Sequence, residues 1–597
     1  MTHTVLELAP ADTRRFIRSL SPCMGFAMIV MLADISVFAQ PAVDPTGRSG
    51  QPPGPLKEEF QRPLPRPRPV LPPLPAAPLE REVPIEPGAV QVFVRDVRVT
   101  GNTVFSDAEI AEVTVPFKNR TLMTEDLERL RLALTLLFVN KGYLTSGAII
   151  PDQDVIDGVV EVQIVEGKLA QINVEGNRWF SSSHLSDRLS LGSRSPLLLA
   201  PLQEQLQLLQ QDRRIDRINA ELRPGDQRGE SVLNVRVADR NPFHASLEVN
   251  NYQTPLVGEI RGLGTLLHDN VTGRGDQLSV SYGHSRGGFP IIDASYALPL
   301  NRYGTTFSPY YRRYDFKLIE EPFDPLNINT NTEIIGMSLR QPIYRTVTDE
   351  IALTLIGEHL FTQSFIFKDT PFSTFPGFQN GAATVSALRF AQDWTHRTID
   401  TVFAVRSRFS VGLNVLGATI NAPSTTPDGQ FFSWLGQAQT IKQFGEKAFG
   451  LQLLGRMDLQ LTNSPLFPLE QVSLGGRYTV RGYREVTILR DNSFIVSLES
   501  RFPLIRWGSG EPMVQLAPFV DVAHGWNLGE NRPSPITSST VFPDILASVG
   551  VGLRWNILPH GRAIFEVYWG QKLRHVPRIG DAIQDHSVHL GVTVAPF

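Results

Sequence analysis

From about Asn241 onward, apolar and polar residues alternate one for one in long runs separated by polar, glycine-rich breaks. Leu278, Val280 and Tyr282 alternate with Gln277, Ser279, Ser281 and Gly283. Phe403, Val405, Phe409, Val411 and Leu413 alternate with Arg406, Arg408, Ser410 and Asn414, and Ala563, Phe565, Val567 and Trp569 with a face that includes Glu566. A period of two marks a strand with two unlike faces. Charges opposite an apolar stripe fit a wall with lipid on one side and a water-filled lumen on the other. A soluble sandwich also alternates, so one run decides nothing; many runs do. Spanning strands take about 9–11 residues plus turns, so these ~355 residues hold on the order of sixteen.

Upstream the period changes. Leu127, Leu130, Leu134, Leu137 and Phe138 form one helix face, with Thr124 as a cap, Glu125 and Asp126 at the positive end, and Gly142 as the stop. Strands are expected at Thr145 to Pro151 and Val159 to Val165. The segment Val99-Thr100-Gly101-Asn102-Thr103-Val104-Phe105 returns as Val174-Glu175-Gly176-Asn177-Arg178-Trp179-Phe180, 75 residues later. In the second copy Leu202, Leu206 and Leu209 mark a helix, and Ile218 to Leu222 and Val232 to Val237 a hairpin. The order in each copy is strand, helix, helix, strand, strand. A repeat of this length means two small domains, not a solenoid.

The first residues read as an export signal: Arg14, Arg15 and Arg18, an apolar core from Gly25 to Ala33, and Val37-Phe38-Ala39 as a cleavage site before Gln40. Leu20-Ser21-Pro22-Cys23 resembles a lipobox, but its apolar stretch follows the cysteine. Thr13-Arg14-Arg15 hints at a twin-arginine signal, yet a barrel crosses the inner membrane unfolded, so the general secretory route is expected. Cleavage there removes the single cysteine. Between Pro41 and Pro87 stand 15 of the 45 prolines, a composition that favours an extended, semi-rigid tether.

A net charge of -4 with 19% charged residues argues against a nucleic-acid partner. The 12 histidines show no metal-ligand spacing and no phosphate-binding loop occurs, so neither metal nor cofactor is expected. Gly283-His284-Ser285-Arg286-Gly287 fits a nucleophile elbow, which requires a helix to follow. Gly288-Phe289-Pro290 and another alternating run, Ile292 to Leu300, follow instead. A barrel turn is the better reading, and no enzyme is expected.

The chemistry concentrates in Leu474-Gly475-Gly476-Arg477-Tyr478-Thr479-Val480-Arg481-Gly482-Tyr483-Arg484-Glu485. A glycine-rich segment with three arginines cannot face lipid. It folds outward into water or inward into the lumen. Asp521, in Phe519-Val520-Asp521-Val522-Ala523-His524-Gly525, sits on an alternating stretch where a carboxylate must face inward and is best stabilised by a cation. Arg481 on an inward loop would supply that cation as a bidentate pair. Equally, Arg481 could lie on an external loop while Asp521 faces luminal water.

These motifs together resemble the TpsB transporters of two-partner secretion, the ShlB/FhaC/HecB-like haemolysin secretion/activation family. The resemblance covers roughly Gln91 to Phe597. It rests on Thr100-Gly101-Asn102-Thr103, Lys141-Gly142-Tyr143, Ile164-Val165-Glu166-Gly167-Lys168 and Glu175-Gly176-Asn177 for the POTRA domains. Asn250-Asn251-Tyr252 and Asp269-Asn270-Val271-Thr272-Gly273-Arg274-Gly275-Asp276 are similar to the first barrel hairpin. Val480-Arg481-Gly482-Tyr483 is similar to the tip of the sixth loop, and Ser497 to Leu504 with Phe519-Val520-Asp521 to the adjoining wall strands.

The resemblance implies a transmembrane β-barrel of about sixteen antiparallel strands preceded by two α+β POTRA domains. The divisions are a signal at 1–39, a linker at 40–90, POTRA 1 at 91–168, POTRA 2 at 169–240 and the barrel at 241–597, with an inward loop near 474–486. It implies a loop anchor of Val480, Arg481, Gly482, Tyr483 and Asp521, supported by Gly475, Gly476, Glu499, Arg501 and Phe519. It further implies a pore in the outer membrane of a diderm bacterium, with periplasmic POTRA domains. The partners would be an exported, unfolded TpsA-like protein that is β-helical once folded, outer-membrane lipid, and the barrel-assembly machinery. An insertase of the same superfamily is the alternative. The sequence departs from the family in having Ala523 where glycine is usual, and a proline-rich segment where a plugging helix stands in the best-known members. Val588, Leu590, Val592 and Val594 leave the terminal Phe597 out of phase.

Overall fold

The structure, a computed structural model, describes residues 91–373, 375–445, 450–532, 543–576 and 580–595. The expected signal, the proline-rich linker and Phe597 lie outside these residues.

The first domain carries β1 (Val92–Val94) and β2 (Asp96–Thr100), then α1 (Asp107–Thr114), β3 (Arg120–Leu122), α2 (Thr124–Asn140), β4 (Gly147–Ile149) and β5 (Val159–Val165). Its main sheet has the order β2-β5-β4, with β2 parallel to β5. The second domain runs β6 (Lys168–Glu175), α3 (Ser182–Leu189), α4 (Leu199–Gln210), β7 (Ile215–Pro224) and β8 (Glu230–Asp239), with sheet order β6-β8-β7. Each domain buries one helix face on one sheet face: Leu130, Leu134 and Phe138 against Val160 and Val162, and Leu202, Leu206 and Leu209 against Leu233 and Val235. The repeated Gly-Asn is a turn built the same way twice. Asn102 Nδ2 donates to the Phe105 carbonyl at 2.6 Å, and Asn177 Nδ2 to that of Phe180 at 2.6 Å.

Two local expectations are corrected. Thr124 is the first helical residue, not the cap. Met123 occupies that position and has no side chain that can cap; its own N–H donates to the Asp126 carboxylate at 3.2 Å. The strand expected over Thr145 to Pro151 pairs only from Gly147 to Ile149.

The rest is one closed barrel. Its first eight strands are β9 (Phe243–Asn250), β10 (Arg261–His268), β11 (Gln277–Ser285), β12 (Gly288–Pro299), β13 (Thr306–Lys317), β14 (Asn329–Arg345), β15 (Asp349–Ile366) and β16 (Ala382–Arg397). The remaining eight are β17 (Thr401–Leu413), β18 (Phe432–Phe444), β19 (Leu451–Thr462), β20 (Asn492–Arg506), β21 (Pro512–Trp526), β22 (Ile545–Leu558), β23 (Ala563–Lys572) and β24 (Val588–Val594). Neighbours pair antiparallel, and β24 closes on β9 over a short register from Gly591↔Asn250 to Val594↔Leu247. Asn251 extends this seam with its side chain, accepting from Leu590 N at 2.8 Å and donating to Val588 O at 2.9 Å.

Leu278, Val280, Tyr282, Phe409, Val411 and Trp569 point outward and are exposed, as are Ile335, Met337 and Leu339 on β14 and Val549, Val551 and Leu553 on β22. An apolar side chain left in water forgoes about 1.5–3 kcal/mol of burial, so a continuous belt of them belongs in lipid. Inward, Arg406 donates to Asp393 at 2.6 Å, and Gln437 and Gln439 line the wall. The inner face is not polar throughout. Toward the rim away from the N-terminal domains, inward Ile334, Leu360, Val385 and Ala387 join Leu466, Phe467 and Leu469 in a dry apolar core. Ser285 ends β11 in a tight turn to β12, its hydroxyl donating to Val257 O at 3.0 Å and accepting from Gly288 N at 2.9 Å. Strand, not helix, follows it.

Candidate functional site

The long loop between β19 and β20, residues 463–491, enters the lumen. Its middle forms a short hairpin, Val472–Leu474 paired with Ile488–Arg490. One face of that hairpin, with Val480 and Tyr483, packs on Ile495, Ala523 and Leu546 of the wall. Alanine at 523 places its methyl inside this patch. Gly475 and Gly476 turn the tip with φ of +99° and +111°. Gly482, at φ +89°, lies against the Gly570 backbone of β23, where a Cβ would collide with the carbonyl.

Between these glycines Arg481 is buried, 3% exposed, beside a fully buried Asp521. Its Nε donates to Asp521 Oδ2 and its Nη2 to Oδ1, both at 2.8 Å. The Arg481 backbone N–H donates to the same carboxylate at 2.9 Å, and the Ser497 hydroxyl at 2.7 Å. Nη1 pairs with Glu499, which Arg501 also holds at 2.6 Å. The guanidinium lies 3.6 Å over the Phe519 ring. Tyr483 closes the site, its hydroxyl donating toward the Ala547 and Arg574 carbonyls at 3.0 Å. Of the two placements open to Arg481, the structure takes the inward one.

The other two arginines of the segment are paired elsewhere. Arg477 donates to Glu566 at 3.1 Å, shares that carboxylate with the Tyr252 hydroxyl at 2.8 Å, and lies 3.9 Å over the Tyr568 ring. Arg484 bridges Glu320 at 2.9 Å and Asp585, which lie in two other loops. Sequence reasoning placed Glu566 inward but missed it, Tyr252, Glu320 and Asp585 as partners. The parity of Glu566 on its strand was an available signal. Glu320 and Asp585 lie in loops, where no periodicity points. Buried charges persist only when paired and hydrogen-bonded, and each arginine here meets that condition. The arrangement can hold a loop across a lumen. Among the described residues no cluster of His, Cys, Asp or Glu could hold a metal ion.

The second N-terminal domain meets the barrel at the β10–β11 turn, residues 269–276. Arg213 pairs with Asp269 at 2.6 Å, and Ser181 N donates to Gly273 O at 2.8 Å. Arg214, held by Asp212 at 2.6 Å, reaches the Gly275 carbonyl. Burial would raise the Asp212 carboxyl, but Arg214 and Arg188 hold it well below its ordinary value. His184, stacked on Phe180 at 6.0 Å, is pushed down to about 4 by burial and then by Arg188 and Arg214, against the opposing Asp212 and Asp187.

Comparison with known proteins follows the same lines. The model of the haemolysin secretion/activation protein family ShlB/FhaC/HecB matches residues 229–555, and that of the ShlB-type POTRA domain residues 92–167. The outer membrane transporter CdiB of Dickeya dadantii is 23% identical over 401 residues, 66% of this chain and 69% of that protein. The hemolysin transporter protein ShlB of Serratia marcescens is 24% identical over 433 residues, 70% of this chain and 73% of that protein. Among solved structures, CdiB from Escherichia coli aligns with a TM-score of 0.61 at 21% identity, covering 87% of this chain and 93% of that one.

Proposed function

Because the chain belongs to the haemolysin secretion/activation family ShlB/FhaC/HecB, we propose that it is an outer-membrane pore that exports one partner protein to the cell surface. The POTRA domains stand in the periplasm and meet the partner while it is unfolded. Both sheets offer edges for strand addition, since β6 and β7 of the second domain each pair on one side only. The partner, of the TpsA type and β-helical once folded, then threads the lumen. No nucleotide is hydrolysed and no covalent chemistry occurs; folding outside makes return unfavourable. Lipid surrounds the apolar belt, the barrel-assembly machinery inserts the strands, and nucleic acid has no part.

The observation that carries this reading is the buried Arg481–Asp521 pair, which pins a glycine-bearing loop inside the pore. Arg481, Asp521 and Glu499 anchor the loop, Val480 and Tyr483 pack it, and Gly475, Gly476 and Gly482 let its backbone turn. A passive porin needs neither this anchor nor the two periplasmic domains. The test is a deletion strain in which exported proteins are followed by fractionation. One large exported protein should remain in the periplasm and return to the surface on complementation. An unchanged surface and medium would reject the proposal.

A further inference from the structure

The loop that carries Arg481 has a second attachment, at its root. There Leu466, Phe467 and Leu469 are buried against inward Ile334, Leu360, Val385 and Ala387, with Phe378 edge-on to Phe467 at 5.8 Å. This packing covers one arc of the inner wall toward the rim away from the POTRA domains. Just below it, Arg389 of β16 is 1% exposed and donates through Nη2 and Nη1 to Glu470 of the loop at 2.9 and 3.2 Å. Its Nε donates to Glu358 of β15 at 2.5 Å, and Glu358 also accepts from the Tyr310 hydroxyl.

The two attachments differ in what separation would leave behind. Withdrawing Arg481 would strand Asp521, whose other side-chain partner is the neutral Ser497 hydroxyl. Withdrawing Glu470 leaves Arg389 still paired with Glu358, while Glu470 travels with the loop toward water. An unpaired buried charge is costly, and a still-paired one is not. Apolar packing is non-directional, whereas a bidentate pair fixes one seating.

On the transport reading above, we propose that Arg389 and Glu470 form a releasable latch that seals the outer mouth, while Arg481 remains the fixed hinge of the same loop. Arg389 is a positioning residue, acting through the loop it holds.

The test is conductance of the full chain in planar bilayers, with heat-modifiable migration confirming a folded barrel. Glu470→Gln should raise the open fraction about tenfold, as expected when one charge-assisted contact leaves a two-state balance. Arg389→Gln should open it further, because Glu358 and Glu470 then face each other unneutralised. A folded Glu470→Gln barrel as closed as wild type overturns the latch. If Arg389→Gln fails to fold, Glu470→Gln decides. Conductance requires no partner protein, so failure of wild type to export one would count against the transport reading and leave the latch standing.

Discussion

At Arg481 one guanidinium joins a loop to two strands, satisfying Asp521 and Glu499 while an aromatic ring covers its face. Removing one member of a buried pair costs about 3–5 kcal/mol, enough to free the loop without unfolding a sixteen-stranded barrel. Arg481→Ala should therefore cut export by at least about tenfold with the barrel still inserted and heat-modifiable. Arg481→Lys should recover only part of it, because an ammonium lacks the planar fork. Wild-type export by the alanine variant would remove this residue from the account. Asp521 was legible in the sequence because its phase on an alternating strand forced it inward. Arg481 was legible as too polar for lipid, and the family resemblance, not the residues alone, favoured the inward fold. Arg477 was read correctly as unable to face lipid, yet its partners, Glu566 on β23 and Tyr252 just beyond β9, lie at opposite ends of the barrel sequence. Only closure of β24 on β9 brings them together.

Among elements, those with a strict period were the legible ones. The helix faces of the POTRA domains and the outward belt follow from periods of 3.6 and 2, which geometry imposes locally; the Gly-Asn turn was legible from its repetition. The apolar upper lumen was not legible, since inward Ile334, Leu360 and Val385 follow the same period as inward Arg389. What makes them a core is the loop root that covers them, a contact made far along the chain. The second POTRA domain carries its own pH dependence. His184 has a folded-state value near 4, below its unfolded value near 6.5. The unfolded chain thus binds the proton more readily, and stability contributed by neutral His184 is full above about 6.5 and lost as pH falls toward 4. Its partial exposure reduces the difference to about 1–2 kcal/mol. Hydrogen exchange of residues 169–240 in the full chain, corrected for the chemical rate, should show protection falling between pH 6.5 and 4. His184→Gln should flatten that dependence. A wild-type profile already flat would show that burial of the imidazole has no such effect.

Across the whole molecule, the N-terminal domains sit at one rim of the barrel and the inward loop lies within its lumen. Arg213 and Arg214 fix the second domain to the β10–β11 turn at one rim, and the loop root packs on the wall toward the other. The central claim is that the partner passes through the lumen, not along the lipid face or by another route. It is tested most directly by stalling a partner fused to a tightly folded domain and photo-crosslinking from chosen wall positions. Gln439 faces the lumen, and Met457, on the neighbouring strand, faces lipid. The stalled chain should crosslink from position 439 and not from 457. Crosslinks from 457 alone, or from neither position while the partner still reaches the surface, would contradict transport through this pore.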